Sequence, residues 1–390
     1  MKNHDYMLTY IETYGNLDFK EKPFNEIDNI IFSQLAYINF EGILDKDKKL
    51  FLCDAAMKYF SLHSDEEIEN LISINVKASK LLMACAKTRR FGWIELCCYV
   101  NNINDDIDKQ LSAICFIIND DSILIAFRGT DTTVTGIKES AMLSYMFPVP
   151  AQIEALHYFQ ETAMLHKGKI RVCGHSKGGN LAVFAAVNCS NSLKKRLVGV
   201  YENDAPGFPK WFFDRYDYRQ IKDIIHLYTP QTSIVGRMLY HDAKPIIIES
   251  ENIGLKQHQV SSWIINEDTF ETTDEYDMTS DFVADYVNTL IDYVGDEDLE
   301  LFLNTLDYVL TNMGIDDFYD MKELDLKKVF TLVDSLTNLD DAHKERFKMI
   351  IKKASSDFAR DYLTAKAKGY KDKYSFLFQK RDKSDKSDKK

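Results

Sequence analysis

Residues 171–180 read RVCGHSKGGN, which sets Ser176 between Gly174 and Gly178. A serine hydroxyl attacks a carbonyl when it is exposed, when a base takes its proton, and when fixed donors receive the negative charge that develops. The run KIRVC that enters the segment has β character. GNLAVFAAV leaves it with Leu181, Phe184 and Ala185 at helical spacing. Strand, sharp turn, helix is the context in which G-x-S-x-G indicates a nucleophile. Positions two residues either side of such a serine nearly touch, so side chains there would clash. The same residues also suit an ordinary strand-to-helix turn in which the serine is only a cap.

Donors, a base and an acid are each available. ILIAFRGTDTT places Arg128, Gly129 and Thr130 at the end of another strand. The backbone N–H groups of Thr130 and Lys177 make the pair that an oxyanion needs. Arg128 reads as an ion-pair partner before it reads as a catalyst. Of the histidines after Ser176, His226 lies in the apolar run IIHLY and His343 in a charged stretch. His258, in the loop NIGLKQHQ, is expected as a mobile base, with His241 in reserve. Asp204, in VGVYENDAPGFP, stands just past a β run and is the expected acid, although Asp also caps such a turn without chemistry. Glu202 and Asp242 are weaker choices, and a Ser–His dyad needs no acid at all.

The elements that must hold these residues alternate. Residues 1–90 read as mostly helical, and SDEE at 64–67 has capping-box form and opens an amphipathic run to about Lys87. WIELCCYV, LSAICFII and SILIAF read as strands, the last two as a hairpin. A helix follows from Pro150 to about Leu165, then strands at 169–173, 197–201, 224–228, about 245–248 and about 261–265, with a helix at about 178–188. Strands alternating with helices predict an α/β fold with a mostly parallel central sheet covered by helices.

FRGT followed by GHSKGG resembles the class-three lipase branch of the α/β-hydrolase superfamily. FRGTDTTVTGIKESAMLSY, PVPAQ and GHSKGGNLAVFAA are more closely similar to an uncharacterised bacterial lipase-like family of that branch, as is YGNLDF…PFNEID at 14–28. The resemblance covers roughly residues 5–270. It implies the chain order Ser, acid, His, and a serine esterase or lipase working through Ser176, Asp204 and His258. It also implies a lid from AMLSYMFPVPAQ, with Met146 and Phe147 lining an acyl groove; a core helix and loop is the plainer reading. One departure stands out. Class-three lipases carry their Asp in a D-I-V-P loop, and here TPQTSIVGRML has Ser233 at that place. Asp204 resembles instead the alternative acid position of pancreatic-type lipases.

The bulk numbers set limits. Of 390 residues, 45% are hydrophobic and 28% charged, with a net charge of -13. That balance argues against a nucleic-acid partner and against attraction to an anionic membrane. No stretch approaches the roughly 18 apolar residues of a membrane span, and no signal-peptide run opens the chain. Seven scattered cysteines without CxxC read as buried, reduced thiols in a cytoplasmic protein, with no metal and no cofactor. A small-molecule or lipid ester is the expected partner. Residues 281–370 read as a helical extension suited to self-association, and 371–390 as a disordered charged tail. The rivals are a thioesterase, phospholipase or peptidase with the same site, and an inactive scaffold that keeps the fold.

Overall fold

The computed structural model describes residues 5–104, 109–130 and 142–277, together with Ser280, Asp281, Ala284, Asn288 and Ile291. The extension 281–370, apart from those positions, the tail 371–390, His343, and Ala141 at the start of the expected lid lie outside the described residues. No described helix is long and apolar enough to cross a membrane.

Six helices open the chain: α1 (Tyr6–Tyr14), α2 (Glu26–Leu35), α3 (Leu52–Leu62), α4 (Asp65–Glu69), α5 (Ser73–Ala86) and α6 (Arg89–Gly92). Helix α2 starts in a reciprocal capping box. Asn25 Oδ1 accepts from the Asp28 N–H at 3.0 Å, and Asp28 Oδ2 accepts from the Asn25 N–H at 3.0 Å. Arg90, fully buried, holds the same Asp28 through two nitrogens at 2.8 and 2.5 Å. It also donates to the Leu17 and Lys22 carbonyls at 3.1 and 2.9 Å. One guanidinium thereby organises the 14–28 segment between α1 and α2. A buried pair left without one partner costs about 3–5 kcal/mol.

The helix expected over 64–87 is two helices. The Ser64–Glu67 box forms, with the Ser64 N–H donating to Glu67 Oε2 at 2.7 Å, but the chain breaks between Glu69 and Ser73. In one straight helix Ile68 would point on the order of 100° away from the stripe of Ile74, Ala78, Leu81, Leu82 and Cys85. All six are buried, and the break lets Ile68 be covered separately.

The main sheet has nine strands in the order β1-β2-β3-β4-β5-β6-β7-β8-β11. Strands β4 (Ser122–Phe127), β5 (Lys169–His175), β6 (Leu197–Asn203), β7 (Ile225–Pro230) and β8 (Pro245–Ile248) run parallel. Strands β1 (Leu50–Phe51), β2 (Glu95–Asn104) and β3 (Lys109–Ile118) extend the β4 side in antiparallel order, and β11 (Thr272–Thr273) closes the other side against β8. The β3–β4 hairpin expected from sequence is present, pairing Ile118 with Ser122. The apolar run SSWII is not a full strand. It begins as a 3-10 turn at Val260–Ser262, Trp263 makes a single bridge to Ser250, and the two-residue strand β9 (Ile265–Asn266) pairs with β10 (Thr269–Phe270). The Ser262 hydroxyl donates to the Gln259 carbonyl at 2.8 Å, the local bond by which serine competes with a ladder.

Helices cover both faces. Ile114, Phe116, Leu124, Ala126 and Cys173 share one core with α1–α5. The helices α7 (Pro150–Met164) and α8 (Lys177–Asn188) pack on each other, α7 also against β3 and α8 against β5 and β6. Parallel strands bring their carboxyl ends to one edge, where a ligand crevice of an open α/β sheet forms. The loops that leave β4, β5, β6, β7 and β8 meet there.

Candidate functional site

The turn after β5 is the pinched bend that the glycines require. A Cβ on Gly174 would strike the Gly178 carbonyl, and one on Gly178 would strike the Phe127 carbonyl at the end of β4. Ser176 itself sits at φ 57°, ψ -136°, one residue before α8. A non-glycine residue held there stores about 1–3 kcal/mol of strain. Its side chain makes no capping bond to α8. Ser176 is buried, at 5% exposure.

Asp204 follows β6, also at positive φ (47°), and is 1% exposed. The β5–β6 register pairs His175 with Asn203, and the Ser176 N–H donates to the Asn203 carbonyl at 2.9 Å. Ser176 and Asp204 therefore each stand one residue beyond the same paired position on adjacent strands. Asp204 Oδ2 meets His258 Nδ1 at 2.7 Å. Its other oxygen accepts from the Ser233 hydroxyl at 2.5 Å and from the Gly236 N–H at 3.1 Å. Ser233, which stands where the class-three resemblance would place an Asp, is thus a donor to the Asp204 carboxylate.

His258 ends a 3-10 turn, Gly254–His258, and its loop is pinned on several sides. Buried Gln257 accepts from the Thr232 N–H at 2.8 Å, and the Trp263 indole N–H donates to the Gln257 carbonyl at 2.9 Å. His175 Nε2 meets the His258 carbonyl at 2.8 Å, and the two rings lie 4.5 Å apart. A carbonyl only accepts, so His175 carries its proton on Nε2 and Nδ1 accepts from the Tyr37 hydroxyl at 2.9 Å. Burial pushes the His175 ring well below the usual imidazole range, and the neighbouring His258 ring pushes the same way. In His258, Nδ1–H donates to Asp204, which makes Nε2 the acceptor nitrogen of the neutral ring.

The remaining expected residues divide. Gly129 abuts the elbow, since a Cβ there would lie 3.1 Å from that of Ser176, and Thr130 follows it at 8% exposure. Lys177 opens α8, where first-turn N–H groups take no carbonyl from their own helix; its side chain reaches away to the Gln110 carbonyl at 2.9 Å. Met146 is 38% exposed. Phe147 packs edge-on to Phe184, Phe208, Trp211 and Phe212, with ring centroids 5.1–6.2 Å away. His226 stacks on Tyr201 at 4.9 Å, as a sheet residue should. His241 lies 3.5 Å from Glu202.

Sequence reading missed the residues behind the site. Tyr37 and His175 hold the His258 backbone. Asn203 donates to the Gly174 carbonyl at 3.0 Å and to Ser33 at 3.0 Å, and exchanges bonds with Asn29 of α2. Only the histidine inside GHSKGG gave a signal, by its place beside the serine. The expectation that no metal-ligand cluster exists also needs correction. All seven cysteines are free and all but Cys53 are buried, yet Cys97, Cys115 and His166 bring their ligand atoms within 4.8 Å of one another. Spacing hid this because the pairing across strands, not proximity in sequence, makes it.

Two lipase structures are similar to the chain. One is the Rhizomucor miehei lipase propeptide complex, at 17% identity, covering 53% of this chain and 67% of that one with a TM-score of 0.32. The other is M37 lipase, at 14% identity, covering 79% and 97% with a TM-score of 0.36. Likeness at that level bears on neither activity nor substrate. Among curated proteins none matches the chain. The model of the Mbeg1-like family matches residues 85–307, more than half of the chain, and the protein belongs to that family.

Proposed function

We propose that the protein is a serine hydrolase of carboxylic esters, built on an α/β-hydrolase framework. Ser176 is the nucleophile, His258 the general base and Asp204 the acid that orients it. The observation that carries this reading is the 2.7 Å bond between Asp204 and His258, beside a serine held at φ 57° on a strand-to-helix bend. His258 Nε2 takes the Ser176 proton as its oxygen attacks the ester carbonyl. The imidazolium that forms is balanced by Asp204, which Ser233 and Gly236 hold in place. Backbone N–H groups of Thr130 and Lys177 receive the oxyanion, aided by the α8 dipole. His258 then protonates the leaving alcohol, and water deacylates the enzyme by the reverse path. Met146 and Phe147 belong to the acyl side of the groove in this reading.

Labelling with a fluorophosphonate probe tests it directly. Labelling is expected in the native protein and absent in Ser176→Ala, with ester turnover lost on the order of a millionfold. A native protein that neither labels nor cleaves any of a panel of esters, thioesters and amides would be a scaffold that keeps the fold without turnover.

A further inference from the structure

The second cluster of reactive side chains lies away from Ser176, on the antiparallel side of the sheet. Strands β2 and β3 place Cys97 directly opposite Cys115. Between Cys97 and Val100 the register slips in a bulge, and Cys98 takes φ 56°. Without the bulge, alternation would send Cys97 and Cys98 to opposite faces. With it, Leu96 and Tyr99 enter the core beneath the N-terminal helices, while Cys97 and Cys98 both stay out of it. His166 follows α7 and brings Nε2 to 3.9 Å from Cys97 Sγ.

We propose that Cys97, Cys98, Cys115 and His166 form a Zn²⁺ site. Cys97, Cys115 and His166 already converge within 4.8 Å. Zn–S bonds of about 2.3 Å and Zn–N bonds of about 2.0 Å put tetrahedral ligand atoms about 3.5–3.8 Å apart, so the side chains close by up to about 1 Å on binding. Cys98, next to Cys97 on the bulge and outside that group of three, turns in as the fourth ligand. Three thiolates and one imidazole are the donors of a closed structural zinc site. On binding, the metal replaces three thiol protons, which pass to solvent, and the complex carries one negative charge. His166 is half-buried, which gives the ion an entry path. The Tyr158 hydroxyl on α7 donates to the Cys98 carbonyl at 2.8 Å and holds the bulge in place. Bound there, the ion ties the β2–β3 edge to the end of α7, and it plays no part in the Ser176 chemistry.

The test uses the full chain, reduced and stripped by a chelator. Titration with Zn²⁺ against a chromophoric competitor should show one tightly held ion per chain. Co²⁺ in its place should give thiolate-to-metal charge transfer and tetrahedral d–d bands. His166→Gln changes a half-exposed side chain, so it keeps the fold; it and Cys115→Ser should each weaken binding on the order of a hundredfold. Cys173→Ser, buried in the other core, should leave binding unchanged. Far-ultraviolet circular dichroism of each variant verifies folding. The proposal is overturned if the reduced chain binds no stoichiometric metal, if the ligand variants bind as well as the native chain, or if Cys97 and Cys115 are found as a disulfide whose reduction confers no metal binding.

Discussion

The two clusters of reactive side chains sit on one sheet and are built by opposite means. At the carboxyl edge of β5, β6 and β8 each residue is delivered by its own loop, and the backbone is strained at both Ser176 and Asp204. On the antiparallel side the sulfurs come from the strands themselves, made to converge by one bulge and one register pair. The loop-built site holds groups with a proton to move and a fixed hydrogen-bond direction. The strand-built cluster holds soft donors, with the ligand atoms of Cys97, Cys115 and His166 within 4.8 Å of one another. Loops on a rigid sheet can vary their chemistry without disturbing the core, whereas a cluster within strands is committed to packing.

Breaking each region separately sharpens that contrast. After loss of Ser176 itself, the largest effect is expected from Asp204→Asn, which keeps the shape but removes the charge and the tautomer it selects; ester turnover should fall on the order of ten-thousandfold in steady-state kinetics. By the same assay Cys115→Ser should change turnover less than about threefold, since its cluster lies outside the reaction. Equal losses from the two variants would erase the distinction drawn between the regions.

Gly174→Ala should destabilise by about 3 kcal/mol or more in urea unfolding, because the new methyl meets the Gly178 backbone and not a side chain that can turn aside. His175 sets a pH dependence. Its folded-state pKa lies below the usual value of about 6.5, so as pH falls through that range the unfolded chain takes a proton that the folded chain refuses. Stability is therefore complete above about pH 6.5 and declines below it, by up to about 1.4 kcal/mol per pH unit. His226, pushed down by burial, acts in the same direction. In His175→Gln the slope between pH 6.5 and 5 should be shallower by chemical denaturation. Among the residues around Asp204, a smaller effect is expected at Ser233→Ala. It removes one of three donors to Asp204, and turnover should fall about tenfold, an effect near 1.4 kcal/mol.

How much of this was legible in sequence follows the range of the interactions. The elbow could be read because strand, glycines, serine and helix are consecutive, so local sterics alone constrain them. Asp204 and His258 were nameable from their places after β runs, but the bond between them depends on β6 and the β8 loop lying side by side. The break at Asn70 and the loss of a strand at SSWII were missed for a related reason. Burial of Ile68 and hydroxyl bonds of Ser262 overrode local pattern. Ser233 looked like a defect in the pattern; its hydroxyl instead supports the carboxylate on the neighbouring strand.

By itself the sequence determined where the chain must bend sharply, that LSAICFII and SILIAF form a hairpin, and that Ser176 stands before a helix, because each rests on contacts a few residues apart. Only the tertiary structure decided which carboxylate faces which imidazole, which tautomer His175 carries, and that Cys97, Cys115 and His166 meet. Those outcomes depend on strand order and register, which bring together groups separated by tens of residues.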